Sequence, residues 1–123
     1  MVKSIIKPGT VICDIDGCIL LHRSTLSGVL DEAPTLLPGA KEKFCEWERH
    51  GHRIILLTGR PDSMREHTEV ELTRLGLFWH QLIMGCGGGP RVLINDEKPD
   101  GLVTAHALCI KRDVGLQDVE LPF

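Results

Sequence analysis

The 123-residue chain lacks any apolar run long enough to cross a membrane or to serve as an export signal, and its first nine residues read as neither. A basic surplus is also missing. Fourteen Lys and Arg stand against 17 Asp and Glu, and a net charge of −3 argues against a nucleic-acid or anionic-membrane partner. There is no Cys-x-x-Cys pair. The five cysteines (Cys13, Cys18, Cys45, Cys86 and Cys109) are an odd number and fall mostly within apolar runs. That excludes a disulfide framework and predicts reduced, largely buried thiols of a cytoplasmic protein. The six histidines are scattered without ligand spacing, which argues against structural zinc. Repeats, low-complexity tracts and linkers are absent, so residues 1–123 read as a single domain with a real core.

What is present is organised around Asp14-Ile15-Asp16-Gly17. The β-branched apolar residues 10–15 read as a buried strand, and Gly17 breaks it. Asp14 and Asp16 project on the same side of that strand at its C-terminal end. In a parallel sheet this is the ligand crevice. Two carboxylates there repel each other unless a cation or a proton accompanies them, so the pair predicts a divalent metal, a shared proton, or both.

Further along, residues 17–30 carry apolar clusters around a Ser/Thr/Gly centre, the pattern of a β-hairpin flap over the strand ends. Pro38 and Gly39 open a helix whose apolar face holds Ala40, Phe44 and Trp47, with Gly51 where a C-cap belongs. Residues 52–57 form the second strand, whose unbroken apolar run suits a strand buried on both faces. Thr58-Gly59-Arg60 follows it. Ser63 and Glu66 form a capping box, starting a helix with Met64, Thr68, Leu72 and Leu75 inward and Gly76 as its stop. Residues 81–84 are a short third strand. A glycine-rich turn at 85–90 leads to a fourth strand at 91–94 and a fifth at 102–110. Strands alternating with helices predict a three-layer, Rossmann-like α/β fold with a mostly parallel sheet.

Three of the strand ends are polar: Asp14-Ile15-Asp16, Thr58-Gly59-Arg60, and the stretch from Asn95 to Asp100. Right-handed crossovers bring them to one edge of the sheet. Together they hold what phosphoryl transfer requires. Asp14 is a carboxylate nucleophile, and Asp16 an acid and base for the leaving oxygen and water. Asp96 is a third carboxylate for Mg²⁺, with Asp100 or Asn95 behind it. Thr58 offers a hydroxyl and the residues from Gly59 onward offer amides. Arg60, Arg91 and Lys98 are the candidate cations.

At these residues the chain resembles the haloacid dehalogenase-like (HAD-like) phosphatase superfamily. The Asp14-Ile15-Asp16-Gly17 stretch resembles its first motif, the apolar strand into Thr58-Gly59-Arg60 its second, and Val92-Leu93-Ile94-Asn95-Asp96 its fourth. The resemblance implies an Mg²⁺-dependent hydrolase of a small phosphorylated metabolite, a sugar phosphate above all, passing through an aspartyl-phosphate on Asp14. Asp16 would protonate the leaving group and then activate water, the Asp16 backbone carbonyl with the Asp14 and Asp96 side chains would hold the metal, and Gly59 and Arg60 would meet the substrate. The third motif is a lysine or arginine, but no lysine lies between Thr58 and Asp96. Arg91 is the first choice for that place and Lys98 the second. The segments that carry a cap domain in other members are short here, which implies a capless HAD-like fold. Such members often form dimers or tetramers, and Ile19, Leu20, Leu21, Val29 and Leu30 of the flap are suited to that contact. The irregular third and fourth motifs leave one alternative, a weak or inactive phosphate-binding module on the same fold.

Overall fold

The structure is a computed structural model and describes residues 7–123. The opening residues 1–6, part of the stretch considered above as an export signal, lie outside the described residues. The element order is β1 (Thr10–Asp14), α1 (Leu26–Asp31), α2 (Ala40–Arg49), β2 (Arg53–Leu57), α3 (Arg65–Arg74) and β3 (Gln81–Ile83), with a 3₁₀ turn at Asp62–Met64 leading into α3. The fold is α/β, with a small parallel sheet in the order β1-β2-β3. Thr10 pairs with Arg53 and Asp14 with Leu57, so β1 and β2 end level with one another. No helix of the described residues is long and apolar enough to cross a membrane.

Alternation along the strands decides how the sheet is covered. Val11, Cys13, Ile54, Leu56 and Leu82 are buried and point one way, into a core with Val29, Phe44, Trp47, Met64, Leu72 and Leu116. Their neighbours point the other way and are less covered. Ile55, Leu57 and Ile83 are half-buried, and Ile12 keeps 49% of its surface. The run at 54–57 therefore belongs to a strand fully buried on one face, where the sequence predicts two.

Helix α2 matches its expected start and buries Ala40, Phe44 and Trp47. Its end is a Schellman turn. Gly51 N–H donates to the Glu48 carbonyl at 2.9 Å and His52 N–H to the Trp47 carbonyl at 3.0 Å, with Gly51 at φ +80°. Helix α3 ends the same way at Gly76. Its start differs from expectation. The Ser63 hydroxyl caps nothing: the chain first makes the 3₁₀ turn, and α3 begins at Arg65 without a side-chain cap.

Two expectations are corrected. The stretch expected as a β-hairpin flap is a turn and a helix. Leu20 N–H returns to the Ile15 carbonyl at 3.1 Å, Leu20 bridges Leu36, and residues 26–31 coil into α1, capped by the Thr25 hydroxyl. Ile19, Leu20 and Val29 are consequently core residues, and of the expected contact set only Leu21 and Leu30 are exposed. Residues 91–94 and 102–110 are also not strands. Residues 85–104 are exposed throughout, crossed only by the single bridge between Glu97 and Val103. With no neighbouring strand to pair with, their β-branched sequence has no ladder to join. The chain then returns to the body, where Leu116 is buried and its N–H donates to the Pro38 carbonyl at 2.8 Å.

Candidate functional site

The level ends of β1 and β2 open into a cavity of about 360 Å³. Asp14, Asp16, Thr58, Gly59, Arg60 and Arg91 all line it, so six of the residues singled out in the sequence meet at one place. A cavity of this size holds far more than a phosphoryl group.

Asp14 closes β1. Its Oδ1 accepts from the Ile15 N–H at 2.9 Å, and its Oδ2 lies 3.6 Å from Arg91 Nη1. Of the two cations considered for the third-motif place, Arg91 is therefore the one beside Asp14. Lys98 lies on the exposed stretch and pairs with Asp96 at 3.8 Å.

Asp16 is held differently. Arg60 Nε donates to its Oδ2 and Nη2 to its Oδ1, both at 2.8 Å, the fork-on-fork geometry of a strong charge-assisted pair. The remaining terminal nitrogen of Arg60, Nη1, donates to Thr68 Oγ1 and Glu71 Oε2, each at 3.0 Å. Glu71 in turn meets Arg23, whose Nη2 donates to Oε2 at 3.1 Å and whose Nη1 lies 2.9 Å from Oε1. The result is a buried chain of alternating charge: Asp16, Arg60, Glu71, Arg23. Burial works against the Arg60 charge, but the bonds from Asp16 and Glu71 outweigh it and hold the guanidinium charged beyond its ordinary value.

Thr58 is 1% exposed, and its Oγ1 accepts from the Arg60 N–H at 3.1 Å. This leaves the hydroxyl proton for another acceptor. Gly59 has a packing reason to be glycine: a Cβ there would come 2.6 Å from the Gly87 carbonyl oxygen. The glycine-rich turn thus folds against the β2 end and supplies Gly87, Gly88 and Gly89 to the cavity wall.

Asp96 is not among the residues lining the cavity. Among the described residues no group of three or more His, Cys, Asp and Glu side chains is placed to hold a metal ion. The expected grouping of Asp14, Asp16 and Asp96 is therefore not assembled, because the strand that would carry Asp96 to the sheet has not formed. Asn95 donates to Thr104 at 2.9 Å, and Asp100 accepts from the Leu102 N–H at 3.0 Å, so both serve the exposed stretch.

Four participants escaped the sequence reading. Thr68 and Glu71 lie on the inner face of α3, Arg23 lies just before α1, and Arg112 lines the cavity from the C-terminal segment. Glu71 had a weak signal: it sits beside Leu72 and three residues after Thr68, on the side of α3 that is buried. Arg112 had none, since Lys111-Arg112-Asp113 reads as a solvated end.

No family model and no curated protein matches the chain. Among solved structures, a chain of the Pnkp1/Rnl/Hen1 complex matches with a TM-score of 0.56 and 29% identity over 63% of this chain and 27% of its own length. A chain of the Pnkp1/Rnl/Hen1 RNA repair complex matches with a TM-score of 0.55 and 29% identity, over 63% and 25%. The chain spans about a quarter of the length of these two matches and is similar to them in part of its α/β body.

Proposed function

We propose that the chain is a phosphomonoester hydrolase of the HAD-like type, acting on a small phosphorylated metabolite, a sugar phosphate above all. One observation carries the reading: Asp14 and Asp16 meet Thr58, Arg60 and Arg91 around a single cavity at the level ends of two parallel strands.

In this reading Asp14 Oδ2 attacks phosphorus. An O–P bond forms, the ester P–O bond breaks, and the leaving alkoxide takes a proton from Asp16. Asp16, now a carboxylate, takes a proton from water. The hydroxide attacks phosphorus, releasing phosphate and restoring Asp14. Arg91 and the Thr58 hydroxyl meet the phosphoryl oxygens, where charge builds in the transition state. Arg60 holds Asp16 in place through both carboxylate oxygens, so the same group is oriented for both halves of the cycle. In the first half Asp16 must carry a proton while Arg60 keeps its other bonds.

Magnesium, which the resemblance implies, does not fit the donors as arranged. Asp96 is held on the exposed stretch outside the cavity, and Asp14 already accepts from the Ile15 N–H and faces Arg91, which leaves the Asp16 backbone carbonyl as the one uncommitted member of the implied set. No step is derived through the metal. The same facts favour a second reading, a weak or inactive phosphate-binding module.

One experiment separates the two readings. Hydrolysis of p-nitrophenyl phosphate is measured with and without Mg²⁺, for the wild type and for Asp14→Asn. The hydrolase reading expects turnover that Asp14→Asn removes. Phosphate binding by calorimetry without turnover under any condition would establish the module instead.

A further inference from the structure

Arg112 is the cavity arginine without an acidic partner. Four arginines line that space (Arg23, Arg60, Arg91 and Arg112) together with two aspartates. Arg23 and Arg60 are tied to Glu71 and Asp16, and Arg91 stands by Asp14. Among the described residues no carboxylate lies within ion-pair distance of Arg112.

The backbone around Arg112 is fixed unusually well for a C-terminal segment. Asp113 sits at φ +67°, the one non-glycine residue in the left-handed region among the described residues. Its N–H donates to the Gly17 carbonyl at 2.9 Å, and its Oδ1 accepts from the His22 N–H at 2.8 Å. Asp113 thereby staples the turn after Asp16 to the chain leading into α1. The stem of Arg112 lies over Gly17, where an added Cβ would come 3.2 Å from its Cγ. A residue held in an uncommon conformation beside a site is a reason to look for function there. Arg23 Nε is the one buried side-chain nitrogen or oxygen without a hydrogen-bond partner among the described residues.

We infer that Arg112 binds a second anionic group of the substrate, separate from the phosphoryl group that Asp14 and Arg91 receive. This deepens the hydrolase reading and rests on it: the substrate class becomes phosphomonoesters that carry a further phosphate or carboxylate within reach of the cavity mouth. The phosphoryl place has its own cation in Arg91, and the same cavity is also lined by His22, Ser24, Thr25 and Arg112. An unpaired guanidinium facing that space gains a charge-assisted, two-pronged contact from an anion and from little else.

The test compares esters in pairs: glucose 1,6-bisphosphate against glucose 6-phosphate, and a 3′-phosphorylated dinucleotide against a 3′-nucleoside monophosphate. The first pair offers the second anion as a phosphomonoester, the second as a phosphodiester. The wild type is expected to prefer the doubly anionic member of at least one pair, mainly through KM. Arg112→Ala is expected to lower that preference by roughly tenfold, and Arg112→Lys by less. An unchanged preference in Arg112→Ala, or no preference in the wild type, overturns the inference. Should neither member of either pair be hydrolysed, the hydrolase reading fails separately, and calorimetry on the same pairs decides. Tighter binding of the doubly anionic ligand, erased by Arg112→Ala, upholds the subsite, and equal binding overturns it.

Discussion

Arg60 grips both carboxylate oxygens of Asp16 at 2.8 Å while its far nitrogen reaches Glu71 on α3. A site residue in a turn is thereby anchored to a helix. Arg60→Lys keeps the charge but loses the fork, so Asp16 is freed to rotate. The expected result is a fall in kcat of roughly tenfold or more with KM changed much less, because Arg60 acts through Asp16. A purely structural role would instead lower the melting temperature and leave the kcat of the folded fraction intact.

Glu71 is the hinge of the buried charges. Its side chain is 4% exposed and serves two guanidiniums of similar burial, Arg23 at 5% and Arg60 at 2%. Replacing it with Ala leaves Arg23 without its anion and Arg60 with Asp16 alone. The expected loss of stability is about 3–5 kcal/mol, measured by urea unfolding. Glu71→Gln, which retains one acceptor oxygen, is expected to lose less. A change under about 1 kcal/mol for Glu71→Ala would show that solvent takes over the role of the carboxylate.

The cysteines divide by environment. Burial pushes the Cys13 thiol far above its usual range, with further contributions from Cys18 and Asp14. Burial and the nearby Asp14 push Cys18 up to about 11. Because the thiolate is the reactive form, both stay protonated and unreactive at pH 8. Cys45, Cys86 and Cys109 are exposed. Native iodoacetamide labelling at pH 8 is expected to modify these three, with Cys18 joining as pH rises towards 11 and Cys13 only on unfolding. Mass spectrometry of the labelled peptides reads the order.

Much of this architecture was legible in the chain because it depends on local pattern. Strands β1, β2 and β3 follow from short apolar runs, and both helix ends from Gly51 and Gly76. The meeting of Asp14 with Thr58 and Arg60 follows from parallel pairing alone, since strands that end level bring their terminal residues together. What failed depended on long-range partners. Residues 91–94 have the composition of a strand, but composition supplies no neighbour. Residues 26–31 contain Gly28 and the β-branched Val29 and still form a helix, since the Thr25 cap and burial of Val29 outweigh weak propensity. Arg112 lies 96 positions from Asp16, and only the Asp113 staple reveals their proximity.

The exposed stretch offers the first cleavage point. Arg91 is on it, its side chain 39% exposed, and Val92 after it is 85% exposed. Limited trypsin digestion is expected to cut after Arg91 before any site in α2 or α3, because proteases need an extended, accessible backbone, and Pro99 protects the bond after Lys98. Initial cleavage within either helix would contradict the placement of residues 85–104.

That stretch also sets how the protein behaves in concentrated solution. Val92, Leu93 and Ile94 present 85%, 62% and 91% of their surfaces to water, as three consecutive sticky side chains on unladdered backbone. Such a segment recruits like segments, so colloidal association grows with concentration. A single gatekeeper charge, Leu93→Lys, would interrupt it while leaving the cavity wall untouched.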